Sequence, residues 1–290
     1  MKKRIILAAV LLLCSSSFVL AGQQDWQGVE TALGRKGTVQ EDMVKVTFPR
    51  SDLKVTVGEI PVEPGLALTS WIGFKGAEKN AMMMGDLVLL EKEVSPIMAQ
   101  LLAKGIEITA LHNHILNESP AVMYLHFSSN GDPRKLAEAM RAALSLTGTP
   151  MEVQQPAASQ TTAVVWTKVE AIFGKTGQKK GNLLQLGFPR QETIKEHGME
   201  VPPFLGMATG INIQVVGNKA ATTGDFVLLG DEVNPVVQAL TSHNIAVTAI
   251  HSHMLRESPR LFFLHFWGYD EPEKLASGLK AALDKTNSKK

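Results

Sequence analysis

Along this chain the spacing of apolar positions switches between two periods. Runs of strand length and near-continuous or alternating apolar character fall at 43–48, 53–57, 66–74 and 85–90. A helical period covers 26–33 and stops at Gly34, because glycine accepts the left-handed conformation that a helix C-terminus often needs. Ser95-Pro96 and Asn234-Pro235 each place a capping side chain before a proline, so helices are predicted to begin there, the first ending at Gly105. A strand over 106–115, a loop through Glu118, Ser119 and Pro120, and a strand over 122–127 follow. The last predicted element is a helix opened by Asp132-Pro133, with Leu136, Met140 and Leu144 on one face.

This succession occurs twice. GVETALGRKGTVQEDMVKVTFPR corresponds to KVEAIFGKTGQKKGNLLQLGFPR, and MGDLVLLEKEVSPIMAQLLAKGIEITALHNH to TGDFVLLGDEVNPVVQALTSHNIAVTAIHSH, in copies of about 120 residues each. The expected organisation is a leader at 1–21, a first repeat domain at 25–147, a linker at 148–162 rich in Pro, Ser, Thr and Gln, and a second repeat domain at 163–286. Strand, helix, strand, strand, helix at the end of each unit predicts an α+β fold: two tandem homologous domains, each a mixed or antiparallel sheet with helices packed on one face. This βαββα core is reminiscent of split βαβ folds and fits an all-β barrel poorly. Lys285 to Lys290 reads as a frayed, basic end.

Composition changes the picture at the start of the chain. MKKRIILAAVLLLCSSSFVLAG runs from basic residues through an apolar stretch to a small-residue exit at Ala21, the layout of a secretory signal peptide. Its apolar run falls short of the ~20 residues that span a bilayer. An exported chain, periplasmic or secreted, is therefore expected, with no stable membrane span after cleavage. Cys14 is the only cysteine, and Leu13 before it disfavours a lipid anchor there; without it the chain has neither disulfides nor thiolate ligands. Basic and acidic residues number 29 and 28, so no nucleic-acid partner is expected.

The candidate chemistry lies in LHNHILNESPAVMYLH, from Leu111 to His126, and IHSHMLRESPRLFFLH, from Ile250 to His265. Side chains two apart on a strand share a face, so Ile106, Ile108, Ala110, His112 and His114 are expected together, as are Ile245, Val247, Ala249, His251 and His253. Each set runs from packed core to two imidazoles. With Glu118 and His126 in one copy, and Glu257 and His265 in the other, three imidazoles and a carboxylate per repeat suit a divalent ion, zinc or another first-row transition metal. The ligand order is that of cupin metal sites, but helices between the strands argue against that fold. His126 shares a face with His112 only if even-numbered residues pair with even-numbered ones. The plainer reading is a hydrogen-bonded histidine network that holds the hairpin.

Other residues carry weaker signals. Asp86 and Asp225, each after a glycine, are candidates to orient an imidazole. Arg50 and Arg190, ending Phe-Pro-Arg, and Arg256 and Arg260 are candidate contacts for an anionic ligand. Met82, Met83 and Met84 would suit soft copper ligation, yet the second copy has Ala221, Thr222 and Thr223 there, which favours a packing role. Ser119 and Ser258 lack the surroundings of a nucleophile.

The block HxHxLxESPRLxFxHFW, from His251 to Trp267, together with the duplication, resembles the LppY/LpqO family of uncharacterised exported proteins. The resemblance implies export and a duplicated domain, and supplies no reaction. Two functions follow as expectations: a metal-binding protein with one site per repeat, or a non-catalytic envelope module binding a sugar, peptide or anion. Water activation by the metal would require an open coordination position.

Overall fold

A computed structural model describes residues 25–77, 79–152 and 166–290. The expected leader at 1–21 and most of the 148–162 linker lie outside those residues. Each repeat forms a six-stranded sheet, antiparallel throughout. In the first the strands lie in the order Thr38–Gln40, Met43–Pro49, Thr69–Ala77, Asn80–Leu90, Val122–Gly131, Glu107–His112. In the second the order is Gln178–Lys180, Leu183–Pro189, Ala208–Val216, Lys219–Leu228, Phe262–Asp270, Ala246–His251. The returning strand inserts between the two that the central helix connects, which is the split βαβ arrangement. Mixed α+β character and tandem duplication are thus as the periodicities predict.

Helices Gln27–Leu33, Glu91–Ala103 and Pro133–Leu144 cover one face of the first sheet, burying Leu33, Phe48, Phe74, Ile97 and Met140 completely. The opposite faces of the two sheets meet each other. Met43, Met82 and Met84 pack with Leu205, Met207 and Phe263, while Leu66, Val122 and Tyr124 pack with Leu183 and Ala221. Four layers result: helices, sheet, sheet, helices. Polar groups lock the middle, since Asn212 Nδ2 donates to the Leu66 carbonyl at 2.9 Å and Gln214 Nε2 to that of Pro61 at 2.8 Å.

Several boundaries differ from expectation for identifiable reasons. The helices predicted to open at Pro96 and Pro235 start at Glu91 and Gly230, with the prolines inside them. Glu93 and Glu232 accept the N–H of Leu90 and Leu229, so the first turn is capped four to five residues upstream. Those carboxylates also receive Arg50 and Arg190. Each guanidinium is almost wholly buried, donating to the Val88 or Val227 carbonyl and pairing with Asp52 and Glu93, or Glu192 and Glu232. Both arginines are saturated within their own repeat, which removes them as ligand contacts. The end expected to fray packs instead: Thr286 and Ser288 are buried, and the Asn287 N–H donates to Glu232 at 2.7 Å.

Candidate metal centre between the repeats

The histidine-bearing strands end sooner than predicted, at His112 and His251, leaving His114 and His253 in the bend that follows. A bulge between Ile108 and Ala110 turns the strand over, sending Ile108 to the helix side while Ala110 and His112 face the other repeat. The single-face assignment for Ile106, Ile108, Ala110, His112 and His114 is therefore corrected. Even-numbered residues pair with even-numbered ones beyond it, Ala110 opposite His126 and His112 opposite Tyr124. A bulge between Val247 and Ala249 repeats the device. Hence His112 and His126 project from one side of their sheet, towards their counterparts.

The structure brings the two blocks together into one cluster. Ring centroids of His112 and His251 lie 3.6 Å apart, those of His114 and His265 3.8 Å, and those of His126 and His253 3.7 Å. Exchanging the repeats converts the second pair into the third and the first into itself, so a local two-fold axis runs between His112 and His251. Six of the eight histidines of the chain stand here. Tyr124 and Phe263 form matching end walls, stacked on His114 at 3.4 Å and on His253 at 3.6 Å. The expectation of one site in each repeat is thus revised to one composite site.

His112 Nδ1 lies 3.1 Å from the Asn113 carbonyl, and His265 Nδ1 lies 3.0 Å from that of Gly224 and 2.6 Å from Asp225 Oδ1. These neighbours only accept, so Nδ1 carries a hydrogen and Nε2 is the nitrogen left to face a ligand. Nε2 of all six rings, with Nδ1 of His251, is buried and has no hydrogen-bond partner. Buried polar atoms are overwhelmingly paired in folded proteins, so seven such nitrogens among the described residues form a group that could hold a metal ion. One ligand atom from each of His112, His251, His253 and His265 fits within a 4.8 Å span, as does one from each of His114, Asp225 and His265.

Burial and mutual repulsion favour the neutral form of five of the rings. Desolvation, followed by the nearby His265, lowers His112 to about 4, and desolvation with His112 lowers His251 to about 2. His114, His126 and His253 are also pushed well below the ordinary value, mainly by burial. The carboxylates beside them are Asp86 and Asp225, directly across the strand pair from His126 and His265. Burial and then the charge of Asp225 hold Asp86 well up, against a smaller opposing effect of Lys45. Burial acts on Asp225 in the same sense, but the charge and hydrogen bond of His265 outweigh it and lower it. Asp86 Oδ2 stands 3.8 Å from His126 Nε2. The glycine before each aspartate is forced by packing: a Cβ at Gly85 would lie 2.2 Å from the Trp71 carbonyl oxygen, and one at Gly224 2.0 Å from that of Gly210.

Glu118 and Glu257 stand apart from the ligand atoms. Their Oε1 atoms accept the N–H of Val122 and Leu261 at 3.1 Å, each spanning its Ser-Pro turn. Burial raises Glu118 to about 7. Arg260 pairs with Glu257, and Arg256 reaches across the repeats to Glu107 at 2.9 Å, so each guanidinium is engaged through Nη1 while its side chain remains half-exposed. Sequence reasoning missed Glu196, which is buried in a position equivalent to Val57 with both carboxylate oxygens unpaired. Alignment of the repeats could have flagged it as an acid opposite an apolar residue.

Fold and site together define a tandem α+β protein whose repeats share a histidine core. A family model described as Domain of Unknown Function (DUF1259) matches residues 27–146 and again 167–285, and the chain belongs to that family. No curated protein matches the chain. Among solved structures, the trimeric bacterial microcompartment shell protein PduB is 14% identical over 87% of this chain and 90% of that one, with a TM-score of 0.23. EtuB from Clostridium kluyveri is 8% identical over 86% and 88%, with a TM-score of 0.20. At such scores neither likeness bears on fold or function.

Proposed function

We propose that this chain is an exported metal-binding protein that holds one divalent first-row transition ion, zinc being the simplest occupant, beside the local two-fold axis. His112, His251, His253 and His265 are the ligands, and Asp225 orients His265. The observation that carries this reading is the convergence of seven buried, unpaired ring nitrogens. Four imidazoles satisfy a tetrahedral ion, and the neighbouring carboxylates offset its charge. Bound there, the ion would supply Lewis acidity; the residues themselves orient, desolvate and keep the rings deprotonated.

A purely structural histidine network fits less well, because such a network would pair its ring nitrogens with one another or with carbonyls. For the envelope-module reading, Glu107 and Glu257 already share the charge of Arg256 and Arg260. Export and the resemblance to the LppY/LpqO proteins belong to the same proposal, and rest on the leader-like 1–21 and on the His251 to Trp267 block. Elemental analysis of protein purified without a metal-affinity tag tests the metal reading. About one equivalent is expected in the parent, and none in His251→Ala/His253→Ala. Absence of stoichiometric metal in the parent, even after reloading, would remove the proposal.

A further inference from the structure

One flank of the histidine core carries a second set of donors. A small cavity beside His126 and His253 is lined by Met82, Met84, Met254 and Glu196, with Thr109 and Ser128. Met82 and Met84 come from the first repeat, Met254 and Glu196 from the second. Repeat comparison alone had favoured packing for the methionines, because Ala221 and Thr223 replace them. In the fold, however, Met82 and Met84 face the other repeat's histidine. On the related flank the equivalents of Met82, Met84, Met254 and Glu196 are Ala221, Thr223, Ile115 and Val57.

Flexible methionines often fill core gaps, and packing by itself would account for three of them. Packing does not account for Glu196. It is 3% exposed, with His197 Nε2 3.9 Å from Oε1 and the backbone N–H of Arg256 beside it, yet among the described residues neither carboxylate oxygen has a close hydrogen-bond partner and burial holds it above the usual carboxylate range. Burial of an under-paired carboxylate is costly, and a cation beside it offsets that cost. Three thioethers and two neutral imidazoles are neutral donors, and thioethers select soft ions. One monovalent ion together with one carboxylate leaves the cavity uncharged.

We infer that this flank is a binding site for monovalent copper, held by the thioethers of Met82, Met84 and Met254 with His126 and, in place of the divalent ion, His253, and charge-balanced by Glu196. The inference rests on the core imidazoles being metal ligands, though not on a divalent ion being bound beside the axis. The test is titration of the full chain with copper(I) under reducing conditions, in competition with bicinchoninate, alongside zinc stoichiometry measured separately. The comparison variant is Met82→Leu/Met84→Leu/Met254→Leu, which keeps side-chain volume and removes every sulfur. Copper(I) affinity is expected to fall at least about 100-fold, with zinc stoichiometry and melting temperature kept. X-ray absorption of the copper-loaded parent is expected to show sulfur in the first shell. Unchanged copper(I) affinity in the leucine variant, or a first shell without sulfur, overturns the site. If zinc fails to bind the parent while copper(I) binds with the sulfur signature, this site stands and the divalent centre falls.

Discussion

The two flanks of the His112–His251 pair are built from corresponding positions and end up chemically unlike. Both carry an imidazole pair, His126 with His253 and His114 with His265, at nearly the same separation. Around the first stand three thioethers and an unpaired carboxylate; around the second stand alanine, isoleucine, valine and the buried, unpaired hydroxyl of Thr223. The carboxylates differ too, since Asp225 bonds His265 directly at 2.6 Å whereas Asp86 stands 3.8 Å from His126. Duplication supplied a symmetric set of rings, and divergence of the walls made each side a different coordination environment. His112 contacts all five other rings, whereas a wall residue stands only at its own flank.

That comparison can be broken or sharpened by experiment, beginning with the largest effect. Met84→Ala should cost about 2–5 kcal/mol by opening a void between the sheets. Thr223→Ala on the other flank should cost far less, because it removes a hydroxyl that has no partner. Denaturant titration of both variants checks this, and equal losses would erase the distinction between the walls. Acidification comes next. Five rings have native pKa values below that of the unfolded chain. As pH falls below about 6.5 the unfolded state takes up protons that the native state refuses, so metal-free stability drops. For His112, lowered to about 4, the loss amounts to about 3 kcal/mol between those two values. Asp86, Glu118 and Glu196, raised by burial, act in the opposite sense but are three groups against five. Melting temperatures of chelated protein between pH 7 and 4 should decline, and a flat profile would contradict the neutral-ring assignment.

Asp225→Asn should weaken divalent-metal affinity about 10- to 100-fold by loosening His265. Asp86→Asn should change it less, and calorimetric titration compares them. Smallest of all, Arg256→Ala removes a surface pair to Glu107 and should cost under about 1 kcal/mol, read by thermal melting.

Much of this architecture was legible along the chain, because alternation and helical spacing report which face of an element is buried. The repeat, the α+β layering and the histidine blocks all follow from such local signals. The composite centre does not. Its assembly depends on which sheet face each repeat offers the other, a long-range choice that no periodicity within one repeat encodes. The bulge before Ala110 was equally silent, since one extra strand residue leaves the apolar pattern plausible on either side. Glu118 misled through proximity in sequence: it stands four residues from His114 yet caps a turn, while Asp86, forty residues away from His126, lies across from it by strand pairing. The helix starts at Glu91 and Gly230 were hidden because the capping carboxylates lie inside the helix and are fixed by distant arginines.

Metal stoichiometry in His112→Ala, read by native mass spectrometry on reloaded protein, tests the merged centre most directly. Because His112 stands beside the local two-fold axis and is one of the four ligands of the shared centre, its loss should take binding from one divalent ion per chain to none. Two ions in the parent with one retained in the variant would mean that each repeat holds its own metal, and would contradict a shared centre.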